Sequence, residues 1–197
     1  MIGFAFCGSF CTLSESLKVL HRLVSDGYEV VPIVSENVYR TDTRFGKAEN
    51  FRRLIEEICQ RQVICDIVGA EPLGPTVKLD ALIICPCTGN TLAKLAHGIT
   101  DTPVTMAAKA HLRSDRPLVI ALASNDAMSA NLENIAMLMK RKNVYFVPMV
   151  QDDPEKKPHS LVADFGQVER TLDGALHSIQ VRRVFLEKKE TENDGNL

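Results

Sequence analysis

The sequence contains no tryptophan, and aromatic residues make up only 6% of it. It also lacks an apolar run long enough to cross a bilayer as a helix. Its 23 Lys and Arg residues are offset by 25 Asp and Glu residues, which leaves a formal net charge of −2. Nucleic acids and anionic membranes both require concentrated basic charge. We therefore expect a small molecule or another protein as the partner, with no nucleic acid and no membrane.

No two cysteines stand at the C-x-x-C spacing that is typical of metal and redox sites. Most of the six cysteines lie inside apolar runs, so we expect reduced thiols and no metal. Met1 leads directly into an apolar run without a basic segment or a cleavage site, which predicts no leader and a cytoplasmic location. The cysteines are Cys7, Cys11, Cys59, Cys65, Cys85 and Cys87.

Two nucleotide-binding signatures are missing as well. Without G-x-G-x-x-G there is no dinucleotide fingerprint, and without G-x-x-x-x-G-K there is no Walker phosphate loop. The 197 residues, 45% of them hydrophobic, suit one domain with a full core. We assign residues 1–186 to that domain and 187–197 to a charged tail.

What the sequence does contain is one arrangement repeated three times. An apolar, strand-like run ends in a cluster of small or polar residues, and a helix-like stretch follows. The carboxyl ends of parallel strands line one crevice of an open α/β sheet, so the three clusters should converge on one ligand. The runs and their clusters are Ile2–Cys7 with Gly8–Thr12, Leu79–Cys85 with Pro86–Thr91, and Leu118–Ala121 with Leu122–Met128.

Strand-like and helix-like patterns alternate along the chain, which favours an α/β fold. We predict a single Rossmann-like, doubly wound parallel sheet of about five or six strands, flanked by helices. The third run is predicted as the strand Pro117–Ala121, and the further predicted strands are Tyr28–Val34, Val63–Val68 and Val144–Val150. The predicted helices are 13–25, Ala48–Gln60, Thr91–Ala96, Thr105–Leu112, Ala130–Lys142 and Phe165–Val181, with a polar loop over Ser35–Gly46.

The first cluster places Gly8 and Ser9 between a strand and a helix, where unpaired backbone N–H groups favour an anion such as phosphate. Thr12 can add a hydroxyl. The alternative is an ordinary tight turn with a helix N-cap. In the second cluster Thr88, Asn90 and Thr91 suit a phosphate, a ribityl chain or a planar ring, and the alternative is again an N-cap for the next helix.

The third cluster places Ser124, Asn125 and Asp126 directly after a buried strand. The Asn125 side chain can bind a carboxylate or an amide, whereas Asp126 would repel a carboxylate unless it is protonated or paired. Capping of the following helix is the alternative for each of these residues.

The segment Pro86–Gly98 follows the pattern P-x-T-x-N-T-x-x-K-x-A-x-G. In this segment the chain resembles the flavoprotein family of homo-oligomeric flavin-containing cysteine decarboxylases. Gly8–Thr12 is similar to that family's phosphate loop and Ser35 to its second-strand serine. Asn125 and Met128 match the asparagine and methionine of its P-A-M-N-x-x-M motif.

The resemblance implies bound FMN. Gly8, Ser9 and Ser35 would hold its phosphate together with Thr12, and Thr88, Asn90 and Thr91 its ribityl chain and ring edge. It also implies a homo-oligomer, usually built from trimers. Two departures stand out: no histidine occurs in Ala70–Asp80, and Leu122–Asn125 lacks the proline and first methionine of the motif. Both put cysteine decarboxylation in doubt.

Further segments narrow the resemblance to the B subunits of two-subunit enzymes in spore-forming bacteria, which work with an A subunit to oxidise dihydrodipicolinate to dipicolinate. This implies the mother cell as location, a small dicarboxylate as substrate, and NAD(P) bound through the A subunit. These segments are Thr41–Glu49, Ala70–Asp80, Met106–Arg113 and Phe146–Ala163.

A dicarboxylate needs cations, and we select Arg40, Arg44 and Lys109, with Asn125 and Met128 completing the substrate site. Asn125 and Lys109 are also the catalytic candidates. For the two arginines the alternative is a solvated loop. For the chain as a whole the alternatives are a non-catalytic subunit that positions substrate or assists assembly, and a flavin-dependent decarboxylase or prenyltransferase.

Overall fold

A computed structural model describes residues 1–187. The predicted charged tail lies outside the described residues from residue 188 onward. Within residues 1–187 the strands form one eight-stranded sheet, and the predicted α/β class is confirmed. The strands are β1 (Ile2–Phe6), β2 (Val30–Val34), β3 (Ala81–Cys87), β4 (Leu118–Ser124), β5 (Val144–Phe146), β6 (Met149–Val150), β7 (Leu161–Ala163) and β8 (Phe185–Leu186).

Helices flank the sheet on both faces. One or more helices join each strand to the next parallel strand, as expected for parallel strands that must be joined by crossovers. The α-helices are α1 (Leu13–Ser25), α2 (Glu36–Arg40), α3 (Ala48–Cys59), α4 (Ile67–Ala70), α5 (Gly89–His97), α6 (Pro103–Leu112), α7 (Leu132–Met139) and α8 (Val168–Leu176), and short 3-10 turns span Phe10–Thr12 and Phe165–Gln167. Among the described residues, no helix combines the length and the apolar character that a membrane span requires.

The strands that carry the predicted loops lie side by side in the order β2-β1-β3-β4. All pairs among them are parallel. The chain moves from β1 to β2 on one side and later returns to the other side of β1 with β3. Such a reversal opens a crevice at the carboxyl ends of the two central strands, where ligands bind in open α/β sheets.

Two apolar layers sandwich the sheet. On one face Phe4 and Phe6 are fully buried, and the Phe6 ring meets the edge of Phe51 from α3 at 5.5 Å between centroids. On the other face Leu82 and Ile84 pack with residues of α5, α6 and α7. Burying each such side chain stabilises the fold by about 1.5–3 kcal/mol, so the carboxyl edge rests on a rigid base.

Several predicted boundaries were wrong, each for a local reason. Val63–Val68 is not a strand: Ile64 forms one bridge to Ile33, and the Asp66 side chain then caps α4. The predicted strand Val144–Val150 is broken at Pro148, which has no N–H to donate. The polar loop contains α2, and the final helix is shortened to α8 with a 3-10 turn before it.

The strand that precedes the third cluster, predicted to end at Ala121, extends further than expected. β4 continues to Ser124, because its last two residues pair with the antiparallel strand β7, Ala123 with Val162 and Ser124 with Leu161. The sheet is therefore parallel in its larger part and mixed at one end. This pairing places Asn125 immediately beyond the last strand residue.

Gly74 provides a test of the packing below the sheet. Its φ is +121°, and a Cβ at this position would lie 2.3 Å from the Ala110 carbonyl oxygen of α6. Gly74→Ala should therefore lower the free energy of unfolding by roughly 3 kcal/mol, measured by urea denaturation. Gly27→Ala is the matched control, with φ +88° and no neighbour within 4 Å, and should cost only about 1 kcal/mol. Equal losses would contradict the close contact.

Candidate functional site

The loops after β1 and β3 are joined directly. The Cys7 backbone N–H donates to the Pro86 carbonyl oxygen at 3.1 Å, and the Thr91 hydroxyl donates to Cys7 Sγ at 3.3 Å. Thr91 and Cys7 are both buried. Thr91 thus fastens the first turn of α5 to the end of β1 and faces the protein interior.

The first loop is shaped around Ser9. The Thr12 hydroxyl hydrogen is directed at Ser9, with 2.9 Å to its carbonyl oxygen and 3.0 Å to its Oγ. The Ser9 hydroxyl therefore accepts from Thr12 and can donate its own hydrogen outward, apart from a long 4.0 Å contact with Cys11 Sγ. Thr12 supports Ser9, and Ser9 is the hydroxyl that can serve an anion.

Ser35 has the same two-sided character at the end of β2. Its backbone N–H donates to the Phe6 carbonyl oxygen at 2.9 Å, which ties it to β1. Its side chain accepts from the Val38 N–H at 3.4 Å and so caps α2. An acceptor role leaves the hydroxyl hydrogen for a ligand. Both capping and binding can therefore hold for one serine.

In the second loop Thr88 caps the following helix, which is the alternative to ligand binding. The Thr88 side chain accepts from the Thr91 N–H at 3.3 Å and donates to Thr91 Oγ1 at 3.1 Å, so it is the N-cap of α5. Asn90, in contrast, is exposed in the first turn of this helix. Of the three predicted residues, Asn90 is the one most open to a ligand.

Gly89 makes the contact between the second and third loops. A Cβ there would lie 2.5 Å from Ser124 Oγ, 2.6 Å from Asn131 Nδ2 and 2.8 Å from Asp126 Oδ1. These three side chains form one network: Ser124 Oγ and Asn131 Nδ2 both donate to Asp126 Oδ1. Sequence reasoning missed this contact, because spacing does not reveal that residues so far apart in the chain will touch.

The network also fixes the charge of the third loop. The Ser124 hydroxyl, helped by Asn131, holds the pKa of the Asp126 carboxyl below its ordinary value, and the small desolvation of this exposed group only partly opposes the shift. Asp126 is therefore ionised at neutral pH and is a weak base. Its negative charge disfavours a carboxylate ligand at this loop.

The buried thiols near the loops are poor nucleophiles. Burial raises the pKa of Cys7 to about 11 and that of Cys85 to about 12, so both stay protonated at neutral pH. Within residues 1–187 no group of three or more His, Cys, Asp or Glu side chains is placed to hold a metal ion.

The predicted substrate residues are only partly brought together. Asn125 is exposed just after β4, and the half-buried Met128 donates its N–H to the His159 carbonyl oxygen at 2.9 Å. Arg40 ends α2 and is exposed, and the Arg44 guanidinium lies over the Phe45 ring. All four follow β2 or β4 at the carboxyl edge.

Lys109 lies elsewhere in the chain. It is exposed in the last turn of α6, beside Ala110, which packs against Gly74 ahead of β3. That turn leads to the amino end of β4, opposite the three loops. The neighbouring residues Ala107, Ala108 and Ala110 are buried inside the chain.

Comparisons with known proteins agree with this architecture. The family model described as Flavoprotein matches residues 1–177. The chain is 44% identical over 186 residues to the B subunit of dipicolinate synthase from Bacillus subtilis (strain 168), and the match covers 94% of this chain and 93% of that one.

Solved structures give the same result. A crystal structure of the dipicolinate synthase B subunit from Bacillus halodurans matches with a TM-score of 0.87 and 42% identity, over 95% of this chain and 96% of that one. AnUbiX (PadA1), solved in complex with FMN and dimethylallyl pyrophosphate, matches with a TM-score of 0.65 and 19% identity, over 91% and 95%. The latter likeness concerns the fold.

The Asp126 network predicts a pH dependence. Because the folded-state pKa lies below the unfolded value of about 3.9, the stabilisation from its charge is fully present above about pH 4 and is lost as the pH falls through the folded pKa. Asp126→Asn should therefore lower the free energy of unfolding at pH 7, and its deficit against wild type should shrink below about pH 4. Urea denaturation across this range measures it.

The control is Glu133→Gln, which removes an exposed carboxylate from the first turn of the neighbouring α7. A deficit of Asp126→Asn that stays constant from neutral to acid pH would show that the charge is not what stabilises the network.

Proposed function

The chain belongs to the Flavoprotein family, and on that premise we propose that it binds FMN at the β1/β3 crevice and acts with the A subunit of dipicolinate synthase to oxidise dihydrodipicolinate to dipicolinate. The observation that carries the flavin site is the placement of Ser9 after β1 and Ser35 after the neighbouring β2, each with a hydroxyl hydrogen to donate. The identity to a named B subunit over nearly the full chain supports the reaction.

The donor set fits a flavin mononucleotide. Gly8, Ser9 and Ser35 would hold its phosphate, and Thr88 and Asn90 its ribityl chain and ring edge. Thr12 and Thr91 would act indirectly, because their hydroxyls donate hydrogen bonds to Ser9 and Cys7 and so position the loops. Bound FMN would accept the two electrons that leave when a dihydropyridine becomes aromatic.

For the substrate we propose Arg40 and Arg44 as carboxylate partners. Asn125 and Met128 follow β4, three strand spacings or about 14 Å from β2, so as flanking contacts they would come from a second copy of the chain. Lys109 lies at the opposite edge, so a role for it at a substrate site requires a second copy of the chain. A trimer-based homo-oligomer, which the family resemblance implies, would supply that copy. The mother cell of a sporulating bacterium is the proposed setting, and NAD(P) would enter through the A subunit.

One observation favours a second function, a non-catalytic subunit that positions substrate for the A subunit. Asp126 is the one carboxylate in the three loops, and its lowered pKa makes it a weak base that is poorly suited to remove a proton from substrate. The nearby buried thiols are protonated. On this alternative the redox step belongs to the partner.

Flavin retention tests the first proposal. The purified chain, given excess FMN and then freed of unbound ligand, should keep flavin absorbance in the visible range. Ser9→Leu and Asn90→Leu should each weaken FMN binding by about tenfold or more, because bulk replaces a donor in the crevice. Ser25→Leu, at the far end of α1, should bind as wild type. A wild-type chain that keeps no flavin would contradict the FMN site.

Mixing with the A subunit separates the two functions. If this chain carries out the redox step, the FMN-loaded chain alone should convert about one dihydrodipicolinate per bound FMN when no other oxidant is present, with the product read by its ultraviolet absorbance. If it only positions substrate, conversion should need the A subunit with NAD(P) and should proceed equally well with the Ser9→Leu chain.

A further inference from the structure

A cavity of about 370 Å³ opens beside the first loop, on the side of β1 that faces β2. It lies between the 3-10 turn and first turns of α1 and the segment from α2 into α3. Pockets for small ligands span about 300–1,000 Å³, so this one suits a ligand with a single ring.

The two walls of the cavity are largely apolar. Phe45 and Leu54 are 55% and 42% exposed although they are large apolar side chains, so a ligand that covered them would be stabilised by the hydrophobic effect. Six side chains form these walls: Phe10, Leu13, Leu17, Phe45, Phe51 and Leu54.

The polar part of the lining is selective for an anion. Of the described residues that line the cavity, Lys47 carries the one formal charge, and Thr41 and Thr43 stand near it in sequence with hydroxyl groups. The acids nearest to Lys47 in sequence, Glu49 and Asp42, do not line the cavity, and Asp42 accepts from the Ala48 N–H at 2.8 Å. The Arg44 guanidinium, 4.9 Å from the Phe45 ring centroid, adds positive charge behind one wall.

The cavity is separate from the proposed flavin position. Its lining comes from residues 10–17 and 38–54, and no residue of the loops after β3 or β4 takes part. A flavin held at Ser9 and Ser35 and extended toward Thr88 and Asn90 runs across β1 to β3, away from the cavity. The two sites would meet near Ser9 and Phe10.

We infer that this cavity binds a flat ring that carries carboxylates, with Lys47 pairing one carboxylate and the phenylalanine rings covering the ring faces. The inference rests on the proposed function, which supplies a dicarboxylate of this class as substrate and product. It adds a holding site at the β2 side and assigns its specificity to Lys47.

Equilibrium dialysis of the full chain against pyridine-2,6-dicarboxylate tests the inference, with and without saturating FMN. Under both conditions we expect one molecule bound in the cavity, in addition to any molecule held at the proposed substrate site. Lys47→Met should weaken binding by about tenfold, and Lys47→Arg should stay close to wild type. Lys142→Met, an exposed lysine far along the chain beside Asp115, is the matched control. Glutarate lacks the aromatic ring and pyridine lacks the carboxylates, so both should bind weakly.

A second measurement locates the ligand. Cys11 is exposed and lines the cavity, whereas Cys65 is half-buried and does not. Saturating pyridine-2,6-dicarboxylate should slow iodoacetamide alkylation of Cys11 several-fold and leave Cys65 unchanged, as mapped by mass spectrometry.

No binding at millimolar ligand, binding that is lost when FMN is present, or a Lys47→Met chain that binds as wild type would each overturn the inference. Flavin retention in the same dialysis reports on the proposed function independently. A chain that keeps FMN but ignores the dicarboxylate refutes the cavity assignment alone, and a chain that binds the dicarboxylate but not FMN refutes the flavin site alone.

Discussion

The close approach of Gly89 to the loop after β4 is the contact on which the site depends. The first residue of α5 lies against Ser124, Asp126 and Asn131 with no room for a side chain. Because those three groups are already bonded to one another, the end of β4 and the start of α5 form one rigid unit. The Thr91 hydroxyl then ties that unit to β1 through Cys7. Three loops far apart in sequence thus form one surface.

Capping and ligand binding are compatible in this arrangement for a simple chemical reason. A hydroxyl that caps a helix accepts a hydrogen bond from a backbone N–H, and it keeps its own hydrogen to donate. Ser35 caps α2 in this manner. Thr88 differs, since it also donates to Thr91 Oγ1, and its remaining capacity is as an acceptor. Hydroxyl chemistry alone therefore distinguishes a serine suited to phosphate from a threonine suited to a donor-bearing ligand.

The strands and helices that surround the site could be predicted from local sequence patterns. The contacts between residues far apart in the chain could not. The apolar spacing of α1 and α3 and the stop at Gly27 follow from one stretch of sequence each. Pro148 and Asp66 are also local signals, but each lies inside an apolar, strand-like run, and a single proline or capping residue alters the pattern of such a run only slightly. The pairing of β4 with β7 and the position of Lys109 depend on the whole topology, so no window of sequence could reveal them.

Charge divides the carboxyl edge into two halves. On the β2 side the exposed cations Arg40, Arg44 and Lys47 lie among the exposed acids Glu36, Asp42 and Glu49, but none of the three cations forms an ion pair within residues 1–187. On the β4 side Asp126 is held ionised by its neighbours. A dicarboxylate can pair with the unpaired cations on the β2 side and is repelled by Asp126, whereas the hydroxyl and N–H groups of a ribityl flavin can donate to acceptors on the β4 side. The same electrostatics that argues against Asn125 as a carboxylate partner therefore favours the β2 side for the proposed dicarboxylate substrate. It also leaves the β3 and β4 loops free for a ligand that donates hydrogen bonds.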